Sequence, residues 1–240
     1  MSTDPPTLGA VVSNADPARL PSLEPLIGQD VRLERLKQSH FSSLFENVGS
    51  HDDLWTWWPE GGPFSDVEFD ESLHHFIDMG ADGSNLASYT VFLLAGPHKD
   101  KAVGIVFAFS EDRLTNRVAE IGLVYGPLIQ RTRAGTETIC ILANHMFELN
   151  YRRLQWKTNS LNIRSRKSAE RYGFIYEGTF RQHQINKGRN RDSAWYSIID
   201  SEWPLCKKAF EEWLRDENFD EHQIQKRKLE SIRKGLEQTT

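Results

Sequence analysis

Between an apolar, strand-like run, Glu120-Ile121-Gly122-Leu123-Val124-Tyr125-Gly126-Pro127, and an amphipathic helix pattern lies Gln130-Arg131-Thr132-Arg133-Ala134-Gly135-Thr136-Glu137. A strand, a tight turn and a helix start gather unpaired backbone N–H groups and the positive end of the helix around one point, which is an anion site. Arg131 and Arg133 add two cationic side chains, and a diphosphate is the natural guest. The charge distribution agrees. Residues 131–191 hold 13 Lys or Arg against 4 Glu, a local net of +9, whereas residues 1–130 hold 8 against 19, a net of −11. A basic middle in an acidic chain fits a polyanionic ligand held at one place; the competing reading is ordinary solvated surface charge.

These residues need a scaffold. Val31-Arg32-Leu33-Glu34-Arg35-Leu36 alternates with period two, as a half-buried strand does. Residues 39–48 read as a short helix, followed by an aromatic loop over 51–64. Ser65-Asp66-Val67-Glu68 is a capping box that opens a helix to about Met79. Residues 88–94, 102–109 and 118–125 are apolar, β-branched and aromatic, the composition of buried strands. Ile139, Leu142, Ala143, Met146 and Phe147 then recur on one face at helical spacing. A strand is expected over 153–158 and a helix over 162–172, stopped by Gly173. Strands over 174–182 and 193–200 follow, joined through Lys187-Gly188-Arg189-Asn190. Helices over 204–214 and about 221–236 close the chain, the last charged and only weakly amphipathic, either a partner-binding element or a solvated appendage. Residues 1–22, rich in Pro, Ser, Asp and Ala, read as a disordered tail, 23–215 as one domain and 216–240 as a helical extension. The order implies an α/β (mixed α+β) sheet covered by helices on its faces.

Two stretches carry a family resemblance. Gln130 to Glu137 resembles a pyrophosphate loop of the form Q-G-x-G-x-A/G-T-E. Asn162-Ile163-Arg164-Ser165, followed by Glu170-Arg171-Tyr172-Gly173-Phe174-Ile175-Tyr176-Glu177-Gly178, is similar to an N-x-x-S…E-K-x-G-F…E-G signature. Together, in this order, they make the chain from about Gly28 to Pro204 resemble the GNAT N-acetyltransferase superfamily, and within it the branch that includes the Rim-type ribosomal-protein N-terminal acetylases. The resemblance implies a mostly antiparallel twisted sheet with a central, splayed parallel pair, and acetyl-coenzyme A (acetyl-CoA) as co-substrate. It implies contacts to that co-substrate from Leu123, Val124 and Tyr125 on the strand and from Gln130, Arg131, Thr132, Arg133, Ala134, Gly135 and Thr136 in the loop. Asn162, Ser165 and Arg166 join them, although Asn162 also suits a helix N-cap.

The departures from the pattern matter. Arg131 and Arg133 stand where the branch usually has glycines, and arginine reaches φ > 0 only at a cost. Either the loop stays right-handed, or the phosphates contact the arginine side chains as well as the backbone. Many members place a tyrosine that reprotonates the leaving thiolate where this chain has Ala169; Ser165 is the candidate for that role here, and Tyr172 reads as a packing residue.

Acetyl transfer to nitrogen needs a neutral amine, while a lysine-type amine has a pKa near ~10 and an α-amine near ~8. A base therefore helps, directly or through water. Glu120, the only carboxylate within 118–125, is the preferred base, with His183 and Asp200 in reserve; otherwise Glu120 is a sheet-edge charge paired with Arg117 or a neighbour. The resemblance implies that a backbone N–H on 121–125 faces the thioester oxygen. Trp57 and Trp58, between Asp52, Asp53 and Glu60, are expected to wall the acceptor site, since an aromatic face beside carboxylates suits a cationic amine; the competing reading is core packing. No cysteine lies in the two signature segments, so an acetyl-enzyme is not expected.

Composition bounds the rest. Two cysteines make no disulfide framework and no metal-ligand spacing, and the adjacent His74-His75 lack a third ligand. No run approaches the roughly 18 apolar residues of a membrane span, and the first twenty residues lack a secretory pattern. A net charge of −5 argues against general nucleic-acid binding. The expectation is a cytoplasmic or nuclear monomer or homodimer, without metal, acting on a small-molecule or peptide amine. The rival is a GNAT-fold module that binds CoA without turnover.

Overall fold

A computed structural model describes residues 8–59, 61–80, 84–110 and 113–238. Eight strands form one sheet: β1 (Leu26–Ile27), β2 (Val31–Arg35), β3 (Leu86–Leu93), β4 (Ala102–Ser110), β5 (Val118–Tyr125), β6 (Arg153–Asn159), β7 (Ile175–Asn186) and β8 (Arg189–Ile199). Their order is β1-β2-β3-β4-β5-β6-β8-β7. Neighbours are antiparallel except β5 and β6, which run parallel. The helices are α1 (Phe41–Leu44), α2 (Asp66–Met79), α3 (Arg133–Glu148), α4 (Ile163–Tyr172), α5 (Trp203–Trp213) and α6 (Leu229–Glu237). None of them, among the described residues, is long and apolar enough to cross a membrane.

The sheet separates two cores. On one face Leu33, Val91, Val106 and Ile121 pack against Ile139, Leu142 and Met146 of α3, with Phe210 of α5 and Ile232 of α6 in the same cluster. On the other, Phe41, Leu44, Trp55, Phe69 and Leu73 cover Phe92, Ile105 and Val124. The local signals explain the helix starts. Ser65 and Glu68 form the reciprocal capping box at α2, and Thr132 caps α3 by accepting from the Gly135 N–H. Gly173, at φ +102°, ends α4 in the left-handed turn that favours glycine.

Three expectations change. The segment expected as a disordered tail is tied down over residues 14–19: Ala18 is buried, and the Ala18 and Arg19 amides donate to Leu114 O and Leu149 O at 2.9 Å. Asn14 and Asp16 also bond to the side chain of Asn150. These partners lie about a hundred residues away, so composition alone did not reveal them. The helix expected from about Glu221 starts only at Leu229, because Asp220 Oδ1 accepts from the amides of His222 and Ile224 and bends the chain into a turn. Nor is that helix a solvated appendage, since Leu229 and Ile232 are buried in the main core. Strand β1, two residues long, carried no periodicity to detect.

Candidate active site

Strands β5 and β6 pair from Val118↔Arg153 to Glu120↔Gln155. Beyond that point β5 continues to Tyr125 along β4, and β6 continues to Asn159 along β8. The two diverging stretches line one cleft of about 1740 Å³, bordered also by the start of α3 and by the aromatic loop.

At the α3 end, the turn after β5 is held by its own side chains. Gln130 Nε2 donates to Tyr125 O at 2.7 Å and Thr132 Oγ1 to Ile129 O at 2.7 Å. A Cβ at Gly135 would stand 2.8 Å from Ile129 O, so this helix turn closes on the loop only with glycine there. Arg131 has φ +62°, in the left-handed region, at a cost of about 1–2 kcal/mol. The loop thus keeps a glycine-like turn although arginine occupies it, and the exposed guanidinium borders the cleft.

Arg133 is held by partners that the sequence did not suggest. Its Nε lies 3.2 Å from Asp30 Oδ2, its Nη1 2.6 Å from Asp216 Oδ1, and its Nη2 donates to Gln29 Oε1 at 2.6 Å. The Phe219 ring sits 5.3 Å away. Two carboxylates and an aromatic face, all distant in sequence, hold this cation, which still lines the cleft where a phosphate was expected. Burial raises the Asp30 carboxyl pKa, and Arg133 opposes the shift. Glu137, the last residue of the loop motif, is also structural: its carboxylate accepts from the amides of Gln29, Asp30 and Val31.

Helix α4 brings Asn162 and Ser165 to the cleft. Asn162 Oδ1 accepts from the Ser165 amide at 3.1 Å, so it is the N-cap as well as a lining residue. Ser165 Oγ accepts from Trp156 Nε1 at 3.0 Å, which leaves its own O–H proton available to donate. Arg166 departs from expectation: its Nε donates to Tyr196 OH at 3.0 Å and its Nη1 to Ser160 O at 3.3 Å, outside the residues lining the cleft. Arg164 and Arg171 border the cleft instead, and Arg171 Nη1 donates to Thr136 Oγ1 at 3.0 Å. Ala134 is buried behind the turn and Ala169 in the core, while Leu123, Val124 and Tyr125 line the cleft. Tyr172 is buried against Trp156 and Phe210, as its place before Gly-Phe suggested.

Glu120 stands at the fork. Its Oε2 lies 2.8 Å from Lys157 Nζ, so the charge pairs with Lys157 and not with Arg117, whose guanidinium donates to Asn150 Oδ1. Lys157 also lies over the Trp195 ring. Arg191, buried on β8, borders the same floor opposite its register partner Gln184, whose Oε1 has no hydrogen-bond partner among the described residues. Sequence reading missed Lys157 and Arg191, because the strand pairings that bring β6 and β8 beside β5 leave no mark in any one strand. Of the reserve bases, His183 bonds Ser193 Oγ through Nδ1 at 2.9 Å, and burial, then Lys157 and Arg191, lowers its pKa. Asp200 follows β8 beside the start of β6, away from the fork. Neither lines the cleft.

The aromatic loop divides its tryptophans. Trp55 is buried, donates to Gly49 O at 3.0 Å and meets Phe64 and Phe69 edge-on. Trp57 is 38% exposed and Trp58 half-buried against Trp55 and Phe76, and both line the cleft. Asp53 borders them, and Glu60 lies outside the described residues. Lys187, at the β7–β8 turn, donates to Trp55 O and Gly62 O at 2.8 and 3.0 Å, fastening the hairpin to this loop.

A sheet forked beside a helix N-terminus, with an acid at the fork, defines an acyltransferase architecture. The model of the acetyltransferase (GNAT) domain matches residues 30–175, and the chain belongs to this family. It is similar to a GCN5-related N-acetyltransferase from Brucella melitensis, with 38% identity and a TM-score of 0.84 over 93% of this chain and all of that one. A probable GNAT-family acetyltransferase from Chromobacterium violaceum is 30% identical, with a TM-score of 0.74 over 84% of this chain and all of that one. The ribosomal L7/L12 α-N-protein acetyltransferase RimL, in complex with CoA, shares the fold at 21% identity and a TM-score of 0.62, over 73% of this chain and 98% of that one. A comparison with curated proteins gave no match.

Proposed function

We propose that the chain transfers acetyl from acetyl-CoA to a primary amine, on a small molecule or a peptide N-terminus, by direct attack in a ternary complex. The observation that carries this reading is the fork itself, with Glu120 at its apex and the first turn of α3 at its wide end. Backbone groups left open along β5 suit an extended amide chain, and α3's first-turn amides with Arg131 suit a diphosphate. Acetyl-CoA supplies the activated acetyl thioester. Glu120 takes the acceptor's proton, directly or through water, so that the nitrogen lone pair reaches the carbonyl carbon. As the C–S bond breaks, the Ser165 hydroxyl gives a proton to the leaving sulfur. The cysteines support the direct route: burial pushes the Cys140 thiol up to about 12 and Cys206 to about 11, so neither offers a thiolate near neutral pH.

Acetyl-CoA at 100 times its dissociation constant should stabilise the fold by about 2.7 kcal/mol. For a chain of this size that is a rise in melting temperature of roughly 5–10 °C. A melt that ignores saturating acetyl-CoA would remove the reading. The acceptor is found by screening amines while following CoA release. The second reading, CoA binding without turnover, is favoured by the Lys157 partner that holds Glu120; single-turnover thioester loss with an amine panel separates the two.

Arg131→Ala is expected to weaken CoA binding by about tenfold and to flatten its salt dependence, as the loss of one charge-assisted contact would. Arg131→Gly should weaken binding equally while melting no lower than wild type, because glycine relieves the left-handed strain. Arg133→Ala should lower the melting temperature with a smaller effect on affinity. Calorimetry at two ionic strengths reads all three, and unchanged affinity in Arg131→Ala would leave the helix amides acting alone.

A further inference from the structure

The matched family region ends at residue 175, yet Trp213, Phe219, Gln223, Ile224 and Gln225 line the same cleft. They belong to a hairpin-like turn after α5 that is tightly fixed. Phe219 and Gln225 form an antiparallel bridge. Trp213 Nε1 donates to Gln225 Oε1 at 2.8 Å, and the Trp213 and Phe219 rings meet edge-on at 4.9 Å. Buried Asn218 bonds Trp213 O and the backbone of Arg227. At the tip, Gln223 has φ +61° and the Asp220 carboxylate holds the Ile224 amide at 2.8 Å.

Two contacts fix where this turn stands. Arg133, the first residue of α3, reaches Asp216 and Phe219, and Arg171, bonded to Thr136, lies 4.8 Å from the Trp213 ring. The turn therefore flanks the first turn of α3, the diphosphate side of the proposed site. Ile224 is 61% exposed there. Apolar surface held out to solvent on a rigid, hydrogen-bonded turn beside an anion site suits the flat face of a base attached to the phosphates.

We propose that the segment 213–225 is the nucleotide wall of the site, with the adenine of CoA packing on Ile224 beside Gln223. This rests on the acetyl-CoA reading above and adds to it residues outside the matched region. Because the turn is bonded in place by its own residues, it acts as a fixed wall and not as a closing lid.

The test compares the full-length wild type with Ile224→Asp and the milder Ile224→Ala by calorimetry. The probes are CoA, adenosine 3′,5′-bisphosphate and 4′-phosphopantetheine, which lacks the nucleotide. Ile224→Asp should weaken CoA and the bisphosphate by about tenfold, Ile224→Ala by about threefold, from loss of a partly buried aliphatic contact. Affinity for 4′-phosphopantetheine should stay within about twofold of wild type. Circular dichroism and melting temperature confirm folding, and Ile224, being exposed, permits both changes. If both variants bind CoA as wild type does, or lose 4′-phosphopantetheine equally, the nucleotide wall is overturned. If wild type itself binds no CoA, the acetyl-CoA reading falls first.

Discussion

Glu120→Gln is expected to lower turnover by about 10²–10⁴-fold while acetyl-CoA affinity stays nearly unchanged. The substitution keeps the shape of the side chain at the fork and removes the proton acceptor. Lys157 complicates the role in an informative way. Protonating Glu120 directly would leave the ammonium 2.8 Å away without its counter-charge. An acceptor ammonium arriving at the fork competes with Lys157 for the same carboxylate, and a water between carboxylate and amine relieves that conflict. The loss in Glu120→Gln should shrink as pH rises toward the amine's own pKa of ~8–10, where free amine becomes abundant. A loss of equal size at every pH would assign Glu120 to structure. The reserve candidates His183 and Asp200 would then be tested in turn, although neither lines the cleft.

The second large effect separates neighbours in one loop. Trp55→Ala should cost about 3–5 kcal/mol, a fall in melting temperature of roughly 6–20 °C, because it empties the centre of the second core. Trp57→Ala should change stability by less than about 0.5 kcal/mol. It should instead raise the acceptor's Michaelis constant by the worth of one cation–π contact, about 0.5–2 kcal/mol. Trp58, between core and cleft, should show part of both. Unchanged acceptor kinetics in Trp57→Ala, with the fold intact, would move the acceptor pocket elsewhere, and weakened acetyl-CoA binding would place these rings over the thioester.

What the sequence showed and what it hid divide along a physical line. Helix starts are local, so Ser65 with Glu68 and the apolar face of α3 were readable, as was the strand–turn–helix at Gln130. The mixed sheet was readable because alternation and order constrain topology strongly. Pairings between remote segments were not. The ion pairs of Arg133 with Asp30 and Asp216 reach 103 residues back and 83 forward along the chain. The charged end of the chain looked solvated because three apolar residues in a helical stretch do not reveal the surface waiting to bury them. Trp55, Trp57 and Trp58 are alike in sequence; only the backbone turn decides which one faces the core.

The parallel pair that stops at Glu120 has a consequence for dynamics. Most sheets keep their bare edges at the perimeter and blunt them with charge or twist. This one turns two edges inward, because the pairing of β5 with β6 stops at Glu120 while both strands run on. Amides on residues 121–125 that point toward β6 should trade hydrogen with solvent quickly, while their neighbours pointing toward β4 stay protected. A ligand with amides of its own can supply rungs there as a transient strand. Occupancy would then be written into the backbone as a change in protection at a few alternate residues, with no movement of the fold needed to report it.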